Sequence, residues 1–456
     1  MSKLLIYHIY ALLSIALIST VCLGHLYQAE GADRGGESRL DSPPAPLLPL
    51  YLTLQGALTA AVDNNPDVHL YRERIEAARG QVQTQLGAML PNLSSTVRQS
   101  NQTVFRGTFG LSPTRSDPFS IFDARISATQ NLLSVSLIQR WRASRELLQV
   151  SEAEAESKKF DTMASVALTY MEGLKAMGMV KMHEANQQVM NDLLGLIKQR
   201  QRMGVATSLD IARLEAQLAS ERQQASVSQY AVESAKLNLL NLLALPYETP
   251  LTLTDEFRPD VASSSTVQAA VEDALKQRPE VAAQVTRVRA TELTYSSITG
   301  ERLPSLVAQE DYGLIGNRWN NTLDTYNVAL LLQVPIFDGG QREGRIAQSR
   351  SQLRQEALRL QSILNHVKME VHDAMAALTA SKDQVGIAQA GMRSASKELD
   401  LARERYAVIT ASSHFELTNA LTAVTRARQN LVDALFQLNA ARVNLARATG
   451  SLNTLQ

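Results

Sequence analysis

The chain has 456 residues, with 45 lysines and arginines against 45 aspartates and glutamates. It therefore lacks the net basic charge that neutralising nucleic-acid phosphates requires. Its single cysteine, Cys22, excludes an internal disulfide framework and any multi-cysteine metal site. Proline is absent between Pro118 and Pro246 and again after Pro335. Because a proline costs a helix interior roughly 3 kcal/mol, these two gaps are read as long helices.

The N-terminus comes first. Lys3 is followed by an uncharged stretch up to Glu30, most apolar from Ala11 to Gly24. One basic residue, an apolar run and then a polar, small-residue segment make the pattern of a secretory signal, assigned to residues 1–24. An uncleaved anchor is the alternative, since about 18 apolar residues can span a bilayer; no basic cluster follows the stretch, which favours the signal. Cys22 stands where a bacterial lipoprotein carries its acylated cysteine, and Val21 before it fits such a site poorly. A plain signal-peptide cysteine is the other reading. Residues 25–50, rich in glycine and proline, are expected to be a linker without a core of their own.

From residue 51 onwards the chain reads as one unit written twice. Asn65-Pro66-Asp67 recurs as Arg278-Pro279-Glu280, and Leu90-Pro91 as Leu303-Pro304, with the same interval between the prolines. Arg222-Gln223 and Asn238-Leu239 recur as Arg428-Gln429 and Asn444-Leu445. Ordered matches at a nearly constant shift indicate a duplicated domain, far longer than a solenoid repeat. The copies are placed at 51–250 and 251–456, with Pro246, Pro250 and Pro259 in the join.

Each copy opens with a helix, 54–64 capped by Thr53 and 267–277 capped by Ser265 or Thr266. Pro66 and Pro279 interrupt it, and a second helical stretch follows to about 88 or 301. Two strands come next, roughly 92–105 and 121–133 in the first copy and 305–316 and 325–336 in the second. Gly316, Asn317, Asn320 and Asn321 are assigned to the second hairpin's loop. Val328, Leu330, Leu332 and Val334 alternate with Ala329, Leu331 and Gln333, a period of two with a mixed second face. Strands of this length reach the roughly 9–11 residues that cross a bilayer at a tilt. Ordinary soluble hairpins give the same pattern, because barrel strands are weak signals.

The long helices are expected at about 136–201 and 208–245, and at about 342–406 and 413–448. Leu353, Ala357, Leu360, Leu364, Val367, Val371, Ala374 and Leu378 alternate steps of three and four, and the rhythm continues to Tyr406 with only Ser381 out of place. That is a coiled-coil seam. Residues 342–406 would extend about 97 Å at roughly 1.5 Å per residue. The helix pairs turn near 203–206 and 408–411, followed by Thr207-Ser208-Leu209-Asp210 and Ser413-His414-Phe415-Glu416. Both have the spacing of a cap with an early acid. Asp210 and Glu416 either satisfy helix-end amides or form a carboxylate ring at a pore mouth, and both roles can hold together.

No catalytic constellation emerges. The histidines, at positions 8, 25, 69, 183, 366, 372 and 414, never take the spacing of a helical zinc site. There is no phosphate loop and no nucleophile elbow. No cofactor is expected, and an enzyme is the most distant reading.

Pro335-Ile336-Phe337-Asp338-Gly339-Gly340-Gln341-Arg342 resembles the strand-exit signature of TolC-type outer membrane factors, and Asn64-Asn65-Pro66-Asp67 resembles that family's first-helix motif. The duplicated order of helix, β-hairpin and long helix matches as well, over residues 50–456. The resemblance implies a mainly α fold with a β-barrel part. In it, a homotrimer forms a twelve-stranded barrel in outer-membrane lipid, continued by a periplasmic α-helical barrel. It implies a passive efflux duct served by a periplasmic adaptor protein and an inner-membrane pump. By position it assigns Gly204, Val205, Ile409 and Thr410 to adaptor-contacting turns, and Asp210, Glu416, Asn419 and Tyr406 to the gate. Ile409 replaces the usual glycine and Asn419 a frequent aspartate. Exit of a secreted protein and a soluble periplasmic coiled-coil scaffold are the alternatives.

Overall fold

The computed structural model describes residues 49–105, 107, 110, 114–259, 266–408 and 414–452. The signal segment, Cys22, Ile409 and Thr410 lie outside the described residues. All described elements belong to one unit, Leu48–Gln456.

The elements are β1 (Leu50–Leu52), α1 (Leu54–Asn64), α2 (Pro66–Gly87), β2 (Asn92–Gln102), β3 (Phe119–Leu133), α3 (Val135–Arg202) and α4 (Ser208–Leu242). The same succession then returns as β4 (Leu251–Leu253), α5 (Val267–Gln277), α6 (Pro279–Gly300), β5 (Ser305–Arg318), β6 (Asn321–Gln333), α7 (Gln341–Val408) and α8 (His414–Thr449). α1 and α5 have 11 residues each, α2 and α6 have 22, and α3 and α7 have 68. At 1.5 Å per residue the two longest helices run about 100 Å.

Local chemistry explains most boundaries. The Thr53 hydroxyl accepts from the Gly56 amide at 3.1 Å, and the Thr266 hydroxyl from the Ala269 amide. Asn65 caps α2 by accepting from Asp67, with Pro66 in the first helical turn, where a missing N–H is harmless. Arg278 stands at the matching position of α6 and makes no side-chain cap. It is buried instead, paired with Glu280 and Glu370. α3 ends in a Schellman motif, with the Val205 amide bonded to the Arg200 carbonyl and the Gly204 amide to that of Gln201. Gly204 takes φ +77°, a conformation that suits glycine.

Several expected boundaries are corrected. β2 stops at Gln102 rather than 105, and Phe105 forms an isolated bridge to Arg115. The second hairpin is longer and tighter than expected. β5 extends through Arg318 and β6 begins at Asn321, so Gly316, Asn317 and Asn321 are strand residues and only Trp319–Asn320 form the turn. Of the asparagines read as loop formers, Asn321 is held by pairing with Arg318, while Asn317 falls at an irregularity between Gly316 and Arg318. β6 stops at Gln333, short of Pro335, which has no amide to donate. α4 stops at Leu242 because Ala244 turns to φ +50° and the Leu245 amide closes on the Leu240 carbonyl.

β1 and β4 were not expected. They pair in parallel, Leu50 with Leu251 and Leu52 with Leu253, joining the start of the first half to the start of the second. Buried Tyr170 of α3 locks this junction. Its hydroxyl lies 2.9 Å from both the Leu52 carbonyl and the Asp255 carboxylate, and that carboxylate also accepts from the Leu54 amide at 2.7 Å. Around it Leu58, Val166, Leu239, Leu243 and Leu452 form the largest apolar cluster.

Burial, chiefly, and the Asp255 contact push the Tyr170 phenol well above its ordinary pKa of 10.0. A raised folded value means stability fully present below pH 10 and lost as pH rises through the folded value. Tyr170→Phe is therefore expected to cost about 1–2 kcal/mol at neutral pH and to flatten the alkaline loss of stability, measured as melting temperature against pH.

From Val367 onwards the α7 seam packs as its rhythm predicts, with Val367, Val371, Ala374, Leu378, Val385, Ala395, Leu399 and Tyr406 buried; before it Leu353, Leu360 and Leu364 are half-buried and Ala357 is exposed. Ser381 is also buried, and its hydroxyl is satisfied by the Ala377 carbonyl of its own helix at 2.7 Å. A polar residue thus keeps its place in the seam by bonding backward along the helix.

Candidate functional site

Two regions carry the chemistry: the sheet, and the far end of the long helices. The sheet has the order β2-β3-β5-β6, each neighbouring pair antiparallel. Directly opposed residues share a face and alternate residues change face. The register therefore puts Leu93, Val97, Ile126, Tyr312, Leu314, Tyr326, Val328, Leu330 and Leu332 on one side. Every one of these is exposed, Val328 and Leu330 at 66% each. Ser95, Gln99, Gln130, Glu310 and Asp324 stand among them as polar exceptions. The opposite side is mixed: it holds Ser94, Thr96, Arg98, Asp123, Arg125, Ser127, Asp311, Thr325 and Asn327, with Arg125 paired to both Asp123 and Asp311, and also Ile121, Val307, Ile315, Leu323 and Leu331. A largely apolar face open to the surroundings, with the ion-paired residues on the face behind it, is the reverse of a soluble sheet packed on a core. β2 and β6 are edges, each with one side unpaired within the chain.

At the other end, α3 and α7 meet through Arg200 and Tyr406, only 4% and 3% exposed. The Arg200 Nη1 donates to the Tyr406 carbonyl, and the guanidinium lies 4.5 Å above the tyrosine ring. Burial raises the Tyr406 phenol pKa, the Arg200 charge opposes that, and the Asp210 charge adds to it. Asp210 and Tyr406 thus feel each other across the helix ends. Asp210 completes a capping box with Thr207: its carboxylate accepts from the Thr207 amide at 3.0 Å, and its own amide donates to the Thr207 hydroxyl at 3.3 Å. The capping role read for Asp210 is therefore present. Glu416 is exposed and lies 3.5 Å from Arg405, while Asn419 is exposed on α8. Gly204 and Val205 sit exposed in the α3–α4 turn.

Higher along the helices lies a buried polar network. Glu221 of α4 is 2.7 Å from the His183 ring and accepts from the Asn186 side-chain Nδ2 at 2.8 Å; Arg428 of α8 donates to the Asn186 side-chain Oδ1 at 2.7 Å. Burial, opposed by the Glu221 charge, lowers the Arg428 pKa.

Neither Arg200 nor this network was picked out from the sequence, although a signal existed. Arg200 follows Leu193 and Ile197, Glu221 follows Leu214 and Leu218, and Arg428 follows Leu421 and Val424, all in steps of three and four. Each is a charged residue at a seam position, and such a charge is buried in company or not at all.

An exposed apolar sheet face continued by paired long helices is the decisive observation, and the comparison with known families agrees with it. The family described as outer membrane efflux protein matches residues 57–245 and 270–451. The chain belongs to that family. Among curated relatives, the pyoverdine export outer membrane protein OpmQ of Pseudomonas aeruginosa is 24% identical over 410 residues, covering 87% of this chain and 85% of OpmQ. The outer membrane protein TolC of Escherichia coli is 20% identical over 410 residues, covering 86% of this chain and 80% of TolC. The outer membrane protein VceC of Vibrio cholerae shares the fold, with a TM-score of 0.77 at 16% identity over 87% of this chain and 96% of VceC. As an outer membrane efflux protein the chain resides in the bacterial outer membrane, with its helices in the periplasm. The resemblance to TolC-type factors is borne out.

Proposed function

We propose that the chain is the exit duct of a tripartite efflux system, passing small molecules passively from an inner-membrane pump and a periplasmic adaptor to the outside. The observation that carries this is the open four-stranded sheet with an exposed apolar face. Unpaired strand edges have no hydrogen-bond partners in lipid, so a spanning sheet must close. Four strands fall short of the roughly eight that make the smallest barrels. Three copies, β6 of one against β2 of the next, would supply twelve. The face with Arg98, Asp123, Arg125 and Asp311 would then line the lumen.

The helices support the same assembly. Val227, Tyr230 and Leu237 form an exposed stripe on α4, and Leu358, Met369, Ile387 and Leu401 form one on α7, surfaces suited to helices of neighbouring copies. The repeated element order is read as an internal duplication, 51–250 and 251–456, behind a signal at 1–24. Cys22 either leaves with the signal or carries lipid. Asp210, Glu416, Asn419 and Tyr406 are assigned to the gate, and Gly204, Val205, Ile409 and Thr410 to the adaptor contact. OpmQ is named for pyoverdine export, which favours a small-molecule cargo over a secreted protein. The reaction is passage rather than catalysis.

Single cysteines at Val328, Leu330 and Leu332, in a Cys22→Ser background, are expected to resist aqueous thiol reagents, whereas a cysteine at Asn327 reacts. The same preparations should run as heat-modifiable trimers from the outer-membrane fraction. Uniform labelling of both faces, or recovery of a detergent-free monomer, would sink the proposal in favour of a periplasmic scaffold. For the gate, Asp210→Ala with Glu416→Ala is expected to change the conductance or cation block of the reconstituted channel. A lower melting temperature with unchanged conductance would leave only the capping role.

A further inference from the structure

Basic and acidic side chains balance over the whole chain, but not where the long helices leave the sheet. Residues 135–150 hold Arg140, Arg142 and Arg145 against Glu146 alone. Residues 335–350 hold Arg342, Arg345 and Arg350 against Asp338 and Glu343. Every cation in the two stretches is arginine, whose fork matches phosphate oxygens.

Their position is fixed by the fold. α3 starts at Val135, just after β3 ends at Leu133, and α7 starts at Gln341 after β6 ends at Gln333. At about 1.5 Å per residue, Arg140 to Arg145 lie roughly 8–15 Å beyond the start of α3. The Cα–Cβ bonds of a helix tilt toward its N-terminus, here toward the sheet, and long basic side chains can extend further in that direction. Both helices also point the positive ends of their dipoles to this level. Ile336 and Phe337, 89% and 85% exposed, mark the same level with apolar surface.

Four of the six guanidiniums are engaged within the chain: Arg140 and Arg345 pair with Glu301, Arg342 bonds the Glu301 carbonyl and Arg350 the Tyr295 hydroxyl. Among the described residues neither Arg142 nor Arg145 has an ion-pair partner; Arg145 lies over the Trp141 ring at 5.2 Å. With Arg289 of α6 these two border a cavity of about 330 Å³, and the one carboxylate there, Glu146, faces Arg289 at 3.8 Å. A second cavity, of about 270 Å³, opens where the β3–α3, α6–β5 and β6–α7 connections meet, and Arg342 and Arg345 line it with Glu301 and Asp338. The Arg342 Nε and the Trp141 indole nitrogen are buried donors without a hydrogen-bond acceptor.

We infer that this arginine collar, centred on the cavity bordered by Arg142, Arg145 and Arg289, binds the phosphate headgroups of anionic phospholipid in the leaflet from which the helices emerge. The inference rests on the sheet being the membrane-spanning part.

The test reconstitutes the full chain in nanodiscs of phosphatidylcholine containing a minor fraction of phosphatidylglycerol, and measures the lipid retained on the protein by native mass spectrometry. Severalfold enrichment of phosphatidylglycerol is expected for the wild type, and loss of most of it for Arg142→Gln with Arg145→Gln. Arg142→Lys with Arg145→Lys, which keeps the charge without the fork, should fall between them. Millimolar inorganic phosphate should not reverse the enrichment, since the site takes a headgroup held in the membrane. No enrichment, or equal enrichment in the glutamine variant, overturns the inference. So does a changed anion selectivity of the channel with unchanged lipid retention, which would place these guanidiniums on the lumen. Failure of the wild type to enter nanodiscs would instead remove the membrane-spanning reading, and this inference with it.

Discussion

Arg200→Ala is expected to raise the leak conductance of the reconstituted channel and to lower its melting temperature together. Arg200 and Tyr406 are almost fully buried at the ends of α3 and α7, joined by a hydrogen bond to the Tyr406 carbonyl and by stacking over its ring. A desolvated cation–π contact is worth about 2 kcal/mol, and a hydrogen bond from a charged donor about 1.5–3 kcal/mol. These overlap, so removal of the guanidinium should cost on the order of 2–3 kcal/mol. If the contact exists only when the helix ends are together, the same energy biases the closed state. At about 1.4 kcal/mol per tenfold, the closed-to-open ratio would fall roughly 30- to 150-fold. Tyr406→Phe keeps both the ring and the carbonyl and should disturb conductance less than Tyr406→Ala. The raised pKa of the phenol adds a pH signature. The part of the lock that depends on a neutral phenol is fully present below the ordinary tyrosine value of 10.0 and is lost as pH rises through the folded value. A lower melting temperature with wild-type conductance would show that the contact survives opening, and the latch would be discarded.

Much of this architecture is legible in the residues alone. Thr53, and Ser265 or Thr266, announce helix starts, because a side-chain oxygen placed before an apolar run has one evident use. The seam of α7 can be followed from Leu353 to Tyr406 because apolar residues recur every three or four positions over many turns. β6 stands out because Val328, Leu330 and Leu332 alternate. What escapes is short or non-local. β1 and β4 have three residues each, too few for a period, and their pairing spans the whole first half of the chain. Gly316, Asn317 and Asn321 look like a loop because asparagine and glycine disfavour strands in isolation, while the register of the longer neighbours holds them extended. At the helix ends, Asp210 is recognisable as a cap because its partner Thr207 is three residues away. Arg200 is not, because its partner Tyr406 lies on another helix and nothing local names it.

Glu221→Leu should destabilise the helical part by about 1.5–3 kcal/mol, the worth of hydrogen bonds to a charged group. Glu221 touches His183 and Asn186, and Asn186 in turn holds Arg428, so one carboxylate organises groups from α3, α4 and α8. This network sits between two apolar clusters. One contains Met190, Leu193, Leu218 and Val424, and the other Val166, Tyr170, Leu239 and Val443. An apolar seam could have run through without interruption, and the physical question is what the interruption does. Replacing a buried ionic group entirely by apolar residues of similar size is often neutral or stabilising, so stability alone does not require it. Registry is the role proposed for it: a leucine seam tolerates sliding by a heptad, whereas the Glu221–Asn186–Arg428 chain is satisfied in one alignment only. The expected pattern is therefore split. Glu221→Leu alone lowers the melting temperature and speeds hydrogen exchange near residues 183–190 and 424–428. Adding His183→Leu, Asn186→Leu and Arg428→Met restores most of the melting temperature but broadens the distribution of single-channel conductances, as helices settle in more than one alignment. A four-residue variant with wild-type stability and a single wild-type conductance would show that the network holds no register. One that stays as unstable as Glu221→Leu would show that the packing around these positions, rather than the lost charge, carries the energy.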